Sequence, residues 1–205
     1  MTDFDKVKAG TQAAYDRKAS EWDSGRSPQL GEAVWIPRLL DGLPSSAKVL
    51  DLGCGTGKPI ADRILAAGFQ LTGLDNSPAM IAIAQSNYPN ATWHVGDIVD
   101  VSHDNSFDAV FSWDGFFHLT PAEQRQALPQ IVRAIRNNGR LLLTIGEVEG
   151  HVTGNVYGET VYHSSLSHSE YTEILISAGM SEVSITMYEH SKADRIILFA
   201  TKGNA

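Results

Sequence analysis

The segment Val49–Pro59, with the sequence VLDLGCGTGKP, constrains the fold more than any other part of the chain. It begins as a short apolar run and then breaks into glycines at Gly53, Gly55 and Gly57. Such a run is typical of a buried parallel strand, and the glycines allow a turn whose backbone approaches a ligand closely. Residues 60–65 then have helical spacing. The order strand, glycine turn, helix predicts the opening of a nucleotide-binding βαβ unit.

Several ligand classes compete for this turn. A P-loop requires Gly-x-x-x-x-Gly-Lys-Ser/Thr, but Leu52 stands at the first glycine and Pro59 at the hydroxyl residue. The dinucleotide pattern Gly-x-Gly-x-x-Gly has Lys58 at its third glycine, which weakens that interpretation without excluding it. The Asp51 carboxylate beside the turn would repel a pyrophosphate, but it suits a ligand with an ammonium and a sulfonium. A glycine turn without a ligand is the simplest alternative.

Further along the chain, more stretches match one family. The run Asp51-Leu-Gly-Cys-Gly-Thr-Gly57 closely resembles the first motif of the class I S-adenosylmethionine-dependent methyltransferases. The run Gly73-Leu-Asp-Asn-Ser-Pro-Ala-Met80 resembles the next motif, and Gly96-Asp97-Ile98 resembles the adenine-binding motif. From Tyr15 to the C-terminus, the chain resembles a small bacterial member of this family that acts on small molecules.

The position of Asp75 by itself, apart from the family resemblance, indicates a role in ligand binding. This residue ends the predicted second strand and lies 20 residues after Gly55, where nucleotide-binding βαβ units place the acid that hydrogen-bonds the ribose hydroxyls. Ser77 is a good helix N-cap and Pro78 a good first helical residue, so a plain helix approach is the alternative. The spacing from the glycine turn favours ribose binding.

The resemblance implies S-adenosylmethionine as the cofactor and a set of residues around it. In the family, the acid at Asp97 accepts from the exocyclic amino group of adenine, and the next residue supplies a backbone N–H. Residues 15–22 resemble a helix that many small-molecule methyltransferases fold over the cofactor, although an amphipathic helix docked on the core would give the same pattern. The expected cofactor-binding residues are Tyr15, Asp51, Gly53, Cys54, Gly55, Asp75, Asn76, Met80, Asp97, Ile98 and Trp113.

The order of elements and the resemblance predict an α/β fold. We expect a doubly wound, seven-stranded, mostly parallel sheet with an antiparallel C-terminal hairpin and helices on both faces. Residues 1–205 should form a single methyltransferase domain, in which residues 1–45 are a helical lid segment and residues 46–205 a Rossmann-like core. A helix over residues 121–136 should end at Asn137-Asn-Gly139. Residues 146–166 have several glycines and no helical period, which predicts a long functional loop.

Methyl transfer from a sulfonium needs alignment and exclusion of water, and it needs a base only when the nucleophile carries a proton. The candidate catalytic residues are Asp114, His118 and His163, because Asp114 can receive a proton or hold a cationic acceptor and the histidines titrate in the useful range. A loop residue satisfied by hydrogen bonds is the alternative for each. Trp22, Phe117 and Tyr162 are the candidate substrate-binding residues, and core packing is the competing interpretation for Phe117.

Composition limits the partners. The chain has 205 residues and a formal net charge of −8, which fits one sizeable domain and argues against nucleic acid as the main partner. We expect a small-molecule methyl acceptor, no membrane partner, a cytoplasmic location and a monomer or homodimer. The sequence has one cysteine and hence no internal disulfide framework. No metal is expected, because four of the other histidines follow no metal-ligand spacing: His103, His151, His168 and His190.

Three functions remain compatible with these patterns. The first is an S-adenosylmethionine-dependent methyltransferase that acts on a small molecule. The second is a nicotinamide-dependent oxidoreductase, which fits the fold but lacks the third glycine and an obvious Tyr-x-x-x-Lys pair. The third is a non-catalytic S-adenosylmethionine-binding module. The sequence does not name the acceptor or the atom that is methylated.

Overall fold

The computed structural model describes residues 2–27, 30–102, 104–188 and 194–204. The helices are α1 (Asp3–Gly25), α2 (Leu30–Leu40), α3 (Ile60–Ala66), α4 (Pro78–Asn87), α5 (Pro121–Ala134) and α6 (His168–Ser177). The strands are β1 (Lys48–Leu52), β2 (Gln70–Asp75), β3 (Thr92–Val95), β4 (Phe107–Ser112), β5 (Ile135–Ile145), β6 (Gly150–Val156), β7 (Glu159–Ser165), β8 (Met180–Tyr188) and β9 (Arg195–Lys202). Short 3-10 helices cover Ile98–Asp100 and Phe116–His118.

The main sheet has seven strands in the order β3-β2-β1-β4-β5-β9-β8. Strands β1 to β5 pair in parallel, while β9 is antiparallel to both β5 and β8. The predicted seven-stranded, mostly parallel sheet with an antiparallel C-terminal hairpin is therefore confirmed. The order reverses between β1 and β4, and ligands of open α/β sheets bind at such a point, past the carboxyl ends of the strands.

Both faces of the sheet are buried by helices. On β1, Leu50 and Leu52 pack into a cluster that includes α5 and α6, whereas Val49 points to the opposite cluster with α2 and α3. Side chains alternate between the faces of a strand, so a nearly continuous apolar run is what two covered faces require. Full burial of each such side chain contributes about 1.5–3 kcal/mol.

Helix α4 begins where the sequence predicts, whereas helix α5 ends earlier than predicted. The Ser77 side chain accepts from the backbone of Met80 at 3.2 Å, and Pro78 occupies the first turn of α4. Helix α5 ends at Ala134, before the predicted stop, because β5 already begins at Ile135. The residue with positive φ after this helix is Asn138, at 62°, and it lies within β5.

Residues 150–165, most of the predicted long loop, form a hairpin, so the prediction of a loop over residues 146–166 was wrong. Strands β6 and β7 pair antiparallel in a separate two-stranded sheet, with Val156 opposite Glu159. Tyr157 and Gly158 form the turn with positive φ angles of 48° and 89°, as a two-residue hairpin turn requires. The two glycines of β6 and Asn155 concealed the strand pattern, since Gly and Asn are depleted in strands.

Helix α1 lies across the carboxyl end of the sheet and is attached on both sides. Its first half is tied to β7 by the Tyr162 backbone N–H, which donates to the Thr11 hydroxyl at 3.0 Å. Its second half is tied to the start of α4, where Asp16 accepts from the Ser77 hydroxyl at 2.5 Å. Two ion pairs, Arg17–Glu159 and Lys58–Asp23, further attach α1. Of the helices in the described part of the chain, none is long and apolar enough to cross a membrane.

Candidate active site

A cavity of about 450 Å³ lies at the carboxyl end of the parallel strands, beneath α1. Most of the residues predicted from the sequence line it, although they come from five separate parts of the chain. Those that line it are Tyr15, Trp22, Asp51, Gly53, Cys54, Gly55, Asp75, Asn76, Met80, Asp97, Ile98, Trp113, Asp114 and His118. Phe117, Tyr162 and His163 do not line it.

The glycine turn and Asp75 form one hydrogen-bonded unit. The Gly55 N–H donates to Asp75 Oδ2 at 2.8 Å, and the Ser77 N–H donates to Asp75 Oδ1 at 2.9 Å. Gly53 and Gly55 have φ angles of 73° and 53°, a region that favours glycine. A Cβ would lie 3.1 Å from the Gly115 Cα at the first position and 3.3 Å from Trp22 Nε1 at the second. The turn therefore needs glycine for its conformation and for space.

Asp51 is a buried carboxylate on the cavity wall, with 4% of its surface exposed. Burial raises its pKa well above the usual range, and the neighbouring Asp75 charge raises it further, while Arg26 opposes both. Among the described residues, no hydrogen-bond donor reaches this carboxylate. A buried carboxylate without a donor is costly unless a cationic group pairs with it. A bound ammonium would meet that need.

Residues that follow β1, β2 and β3 along the chain complete this side of the cavity. The Asn76 carbonyl accepts from Gln12 Nε2 of α1 at 2.7 Å, and Met80 is buried beside Gly55. Asp97 caps the short 3-10 helix by accepting from the Val99 N–H at 3.2 Å. Cys54 is also buried here, and burial raises the pKa of its thiol.

Tyr15 and His118 meet in the cavity wall. The Tyr15 hydroxyl lies 2.9 Å from His118 Nε2, and His118 Nδ1 lies 2.7 Å from the Tyr162 carbonyl oxygen. A carbonyl only accepts, so Nδ1 carries the hydrogen and the Tyr15 hydroxyl donates to Nε2. Burial lowers the pKa of His118 to about 3, so the ring is neutral near pH 7. Burial also raises the pKa of Tyr15, which keeps the hydroxyl protonated.

Asp114 is paired with an arginine that the sequence analysis did not single out. Arg195 Nε donates to Asp114 Oδ1 at 2.8 Å, and its Nη2 donates to Oδ2 at 3.0 Å. Asp114 has a φ of 59°, and its N–H donates to the Thr144 hydroxyl at 2.7 Å. The bidentate pair is charge-assisted and geometrically specific, which favours the role of holding a cation over that of taking a proton.

Three predicted residues lie behind the cavity wall. The Phe117 and His163 rings are in contact with centroids 4.6 Å apart and planes tilted by 60°, and His163 packs closely on Gly154 of β6. Burial lowers the pKa of His163, which the Asp114 charge partly opposes. The Tyr162 hydroxyl bonds His151 at 2.5 Å, and its ring lies edge-on to Phe4 of α1. These side chains support His118 and α1, while Trp22 and Trp113 stay in the wall.

Arg26 is a cavity residue that the sequence analysis missed. Its Nη2 donates to Glu32 at 2.6 Å, and its guanidinium lies 5.3 Å from the centroid of the Trp22 ring. Arg26 caps the C-terminal end of α1, where its backbone N–H donates to the Trp22 carbonyl, and its spacing of four residues from Trp22 was the available signal. The positive charge of Arg26 also acts on Asp51, so the cavity presents a cation and a carboxyl group toward a ligand, as an amino-acid group requires.

The described residues contain no group of three or more His, Cys, Asp or Glu side chains that could hold a metal ion. His103 and His190, two of the histidines considered for metal binding, lie outside the described residues.

Comparison with known proteins identifies the family. Residues 49–139 match a family model described as a methyltransferase domain. An uncharacterized methyltransferase of Mycobacterium bovis is 32% identical over 114 residues, which are 54% of this chain and 45% of that protein. A dTDP-4-amino-2,3,4,6-tetradeoxy-D-glucose N,N-dimethyltransferase of Saccharopolyspora spinosa is 31% identical over 171 residues, 77% of this chain and 64% of that protein. The chain thus spans about half to two thirds of the length of these relatives.

A solved structure shows the same fold. It is that of an amino pentose methyltransferase from Micromonospora echinaspora with S-adenosylmethionine bound, and it matches with a TM-score of 0.67 at 22% identity. The match covers 91% of this chain and 96% of the other. The glycine turn, the family model over residues 49–139 and the relatives named above identify this chain as a class I methyltransferase, whose cofactor is S-adenosylmethionine, and the sheet order and the solved structure show the matching fold.

Proposed function

We propose that this protein transfers a methyl group from S-adenosylmethionine to a nitrogen atom of a small amine. The observation that carries the proposal is the Tyr15–His118 hydrogen bond of 2.9 Å, in the wall of the cavity that also holds Asp51 and Asp75. Family membership supports the cofactor and the reaction type. The alternatives, a nicotinamide oxidoreductase and a non-catalytic module, gain no support from the relatives named above.

The cofactor half of the cavity, formed by Asp51, Gly53, Gly55, Asp75 and Asp97, fits S-adenosylmethionine. The Asp51 carboxylate lacks a donor and suits the ammonium, and Asp75, fixed by two backbone N–H groups, suits the ribose hydroxyls. Asp97 and Ile98 would hold the adenine, and Arg26 the carboxylate. When bound, this cofactor supplies a methyl group that its sulfonium already activates.

The acceptor half, formed by Tyr15, Trp22, Asp114 and His118, holds no strong base among the described residues. His118, with its pKa lowered to about 3, is a poor proton acceptor at pH 7. Asp114 is committed to Arg195 through two hydrogen bonds. A hydroxyl nucleophile needs a base during the transfer, whereas a neutral amine attacks with its own lone pair. The weakness of the available bases therefore favours an amine.

The acceptor half can nevertheless orient an amine. Because His118 Nε2 can only accept, the Tyr15 hydrogen points to it and the lone pairs of the Tyr15 oxygen remain for an N–H of the acceptor. Asp114 offers a second, negatively charged acceptor for an N–H. With two N–H groups held, the nitrogen lone pair has a fixed direction, and such alignment is the main requirement of an in-line transfer. Trp22 and α1 exclude water from the same space.

We further propose the following context. The net charge of −8 supports a small-molecule acceptor over nucleic acid. Residues 1–205 act as one methyltransferase domain in the cytoplasm, as a monomer or homodimer, with residues 1–45 as the lid segment. The named relatives that act on amino sugars support a polar primary amine, which has two N–H groups, as the first class of acceptor to test.

A labelling experiment tests the proposal. The protein is incubated with S-adenosylmethionine labelled in its methyl group and with a set of small amines, each paired with the hydroxyl compound of the same shape. We expect labelled product from amines and little from their hydroxyl partners. Equal labelling of the hydroxyl partners would contradict the amine assignment. Absence of label from every compound at saturating cofactor would contradict the methyltransferase activity itself.

A further inference from the structure

We propose that Gln124, on α5 and outside the cavity, is a positioning residue for His118. This inference rests on the proposed function, because it concerns the residue that orients Tyr15 there. Gln124 is fully buried, and its amide bonds both chain segments between which the His118 ring is held.

Both ends of the Gln124 amide form hydrogen bonds. Its Nε2 donates to the Leu119 carbonyl at 3.0 Å and to the Ser164 carbonyl at 3.0 Å, with the Ser164 hydroxyl at 3.1 Å. Its Oε1 accepts from the Tyr171 hydroxyl of α6 at 2.5 Å. Two carbonyls on one side and a hydroxyl donor on the other fix which end of the amide is nitrogen. The side chain therefore has one orientation and joins α5, α6, β7 and Leu119.

The segments that this amide joins are the two that define the geometry of His118. Leu119 follows His118 directly, and Ser164 lies two residues after Tyr162, whose carbonyl accepts from His118 Nδ1. The Ser164 hydroxyl strengthens the same link by donating to the Leu119 carbonyl at 2.6 Å. The 2.7 Å bond between His118 and β7 thus depends on a distance that Gln124 and Ser164 set from behind.

The tautomer of His118 follows from this distance. While the Tyr162 carbonyl stays within reach of Nδ1, the hydrogen is on Nδ1 and Nε2 is free to accept from Tyr15. If β7 moves away, Nδ1 loses its acceptor and the hydrogen can occupy either nitrogen. The Tyr15 hydroxyl then loses its fixed direction. Gln124 acts on the reaction through this choice of tautomer, without touching the acceptor.

The test reads the His118 tautomer directly. Two-bond proton–nitrogen correlation spectra of the ring are recorded for the wild type, Gln124→Leu and Ser164→Ala, without cofactor or acceptor. We expect hydrogen only on Nδ1 in the wild type and a mixture of tautomers in Gln124→Leu, with a smaller change in Ser164→Ala. Turnover of an amine substrate should fall about tenfold to a hundredfold in Gln124→Leu, because small misplacements near reacting groups have effects of that order.

Tyr171→Phe is the matched control. It removes a buried hydroxyl from the same network but leaves both Gln124 bonds to carbonyls, so it should lower the unfolding temperature and keep the tautomer. An unchanged His118 tautomer in Gln124→Leu, or in Ser164→Ala if the first variant does not fold, would overturn the role of Gln124. An equal tautomer change in Tyr171→Phe would overturn it too. Neither result bears on whether the wild type methylates amines, which the labelling experiment decides.

Discussion

The cofactor half and the acceptor half of the cavity are held together in different ways. In the cofactor half, Gly55 lies in the turn after β1 and Asp75 ends the neighbouring parallel strand β2, 20 residues later, and a backbone N–H joins the two. In the acceptor half, Tyr15 and His118 lie 103 residues apart, and Asp114 and Arg195 lie 81 apart, and both contacts join side chains. The cofactor half therefore belongs to the sheet, whereas the acceptor half forms only when α1, β7 and β9 are in place.

Because of this difference, substitutions in the two halves should affect different properties of the protein. A change in the cofactor half should weaken cofactor binding directly, while a change in the acceptor half should lower turnover and leave cofactor binding nearly intact. The attachments of α1 include exposed ion pairs such as Arg17–Glu159, which contribute about 0–1 kcal/mol each. Buried hydrogen bonds such as that of the Tyr162 N–H to Thr11 hold the helix more firmly.

Asp75→Ala should have the largest effect on the cofactor half. The carboxylate can form two charge-assisted hydrogen bonds to ribose hydroxyls, worth about 1.5–3 kcal/mol each, and it also fixes the glycine turn. Affinity for S-adenosylhomocysteine in titration calorimetry should fall by about 10²–10⁴-fold. Asp75→Asn, which keeps one acceptor oxygen, should lose less. An unchanged dissociation constant in Asp75→Ala would remove this residue from the cofactor site.

Tyr15→Phe and His118→Asn should act on the acceptor half. Either change removes the hydrogen bond that directs the Tyr15 oxygen, so turnover of the first identified acceptor should fall about 10²-fold. The dissociation constant of S-adenosylhomocysteine should change by less than about threefold, because the hydrogen bonds of Asp75 are kept. If His118→Asn weakened cofactor binding as much as Asp75→Ala does, the two halves would not be separable.

The stability of the protein should depend on pH through His118. Its pKa in the folded state is about 3 against an ordinary value of 6.5, so the unfolded state binds one more proton between these values. Its contribution to the free energy of unfolding is fully present above pH 6.5 and is lost by about 1.4 kcal/mol per pH unit as the pH falls. Urea unfolding between pH 4 and 7 should show a flatter dependence in His118→Asn than in the wild type. Equal slopes would mean that His118 is not held neutral.

His163→Ala should have the smallest effect. His163 lies behind the wall and contacts the Phe117 and His118 rings, so its loss should lower turnover less than about tenfold and leave cofactor affinity unchanged. The matched variant on the cavity side is His118→Asn. A loss of turnover in His163→Ala that equals the loss in His118→Asn would mean that His163 reaches the acceptor.

The two halves also differ in how far the sequence predicts them. The glycine turn, Asp75 and Asp97 follow strands that the apolar runs reveal, and the carboxyl ends of parallel strands meet at one edge. Tyr162 and His163 were expected to face the acceptor, but which side a strand residue faces depends on register, and the hairpin was not predicted. Arg195 lies beside Asp114 only because β9 runs antiparallel to β5, which no local pattern shows. In the sequence, nothing distinguishes Gln124 from other polar residues near the start of a helix.

The pH dependence of kcat/KM for the first identified amine tests the central claim, that the acceptor half orients a neutral amine and supplies no base. We expect kcat/KM to rise with pH up to the pKa of the amine itself, because only the unprotonated amine reacts. We also expect no step near pH 6.5, since His118 stays neutral down to about pH 3. A step near pH 6.5 in the wild type that is absent from His118→Asn would contradict the account and make His118 the general base.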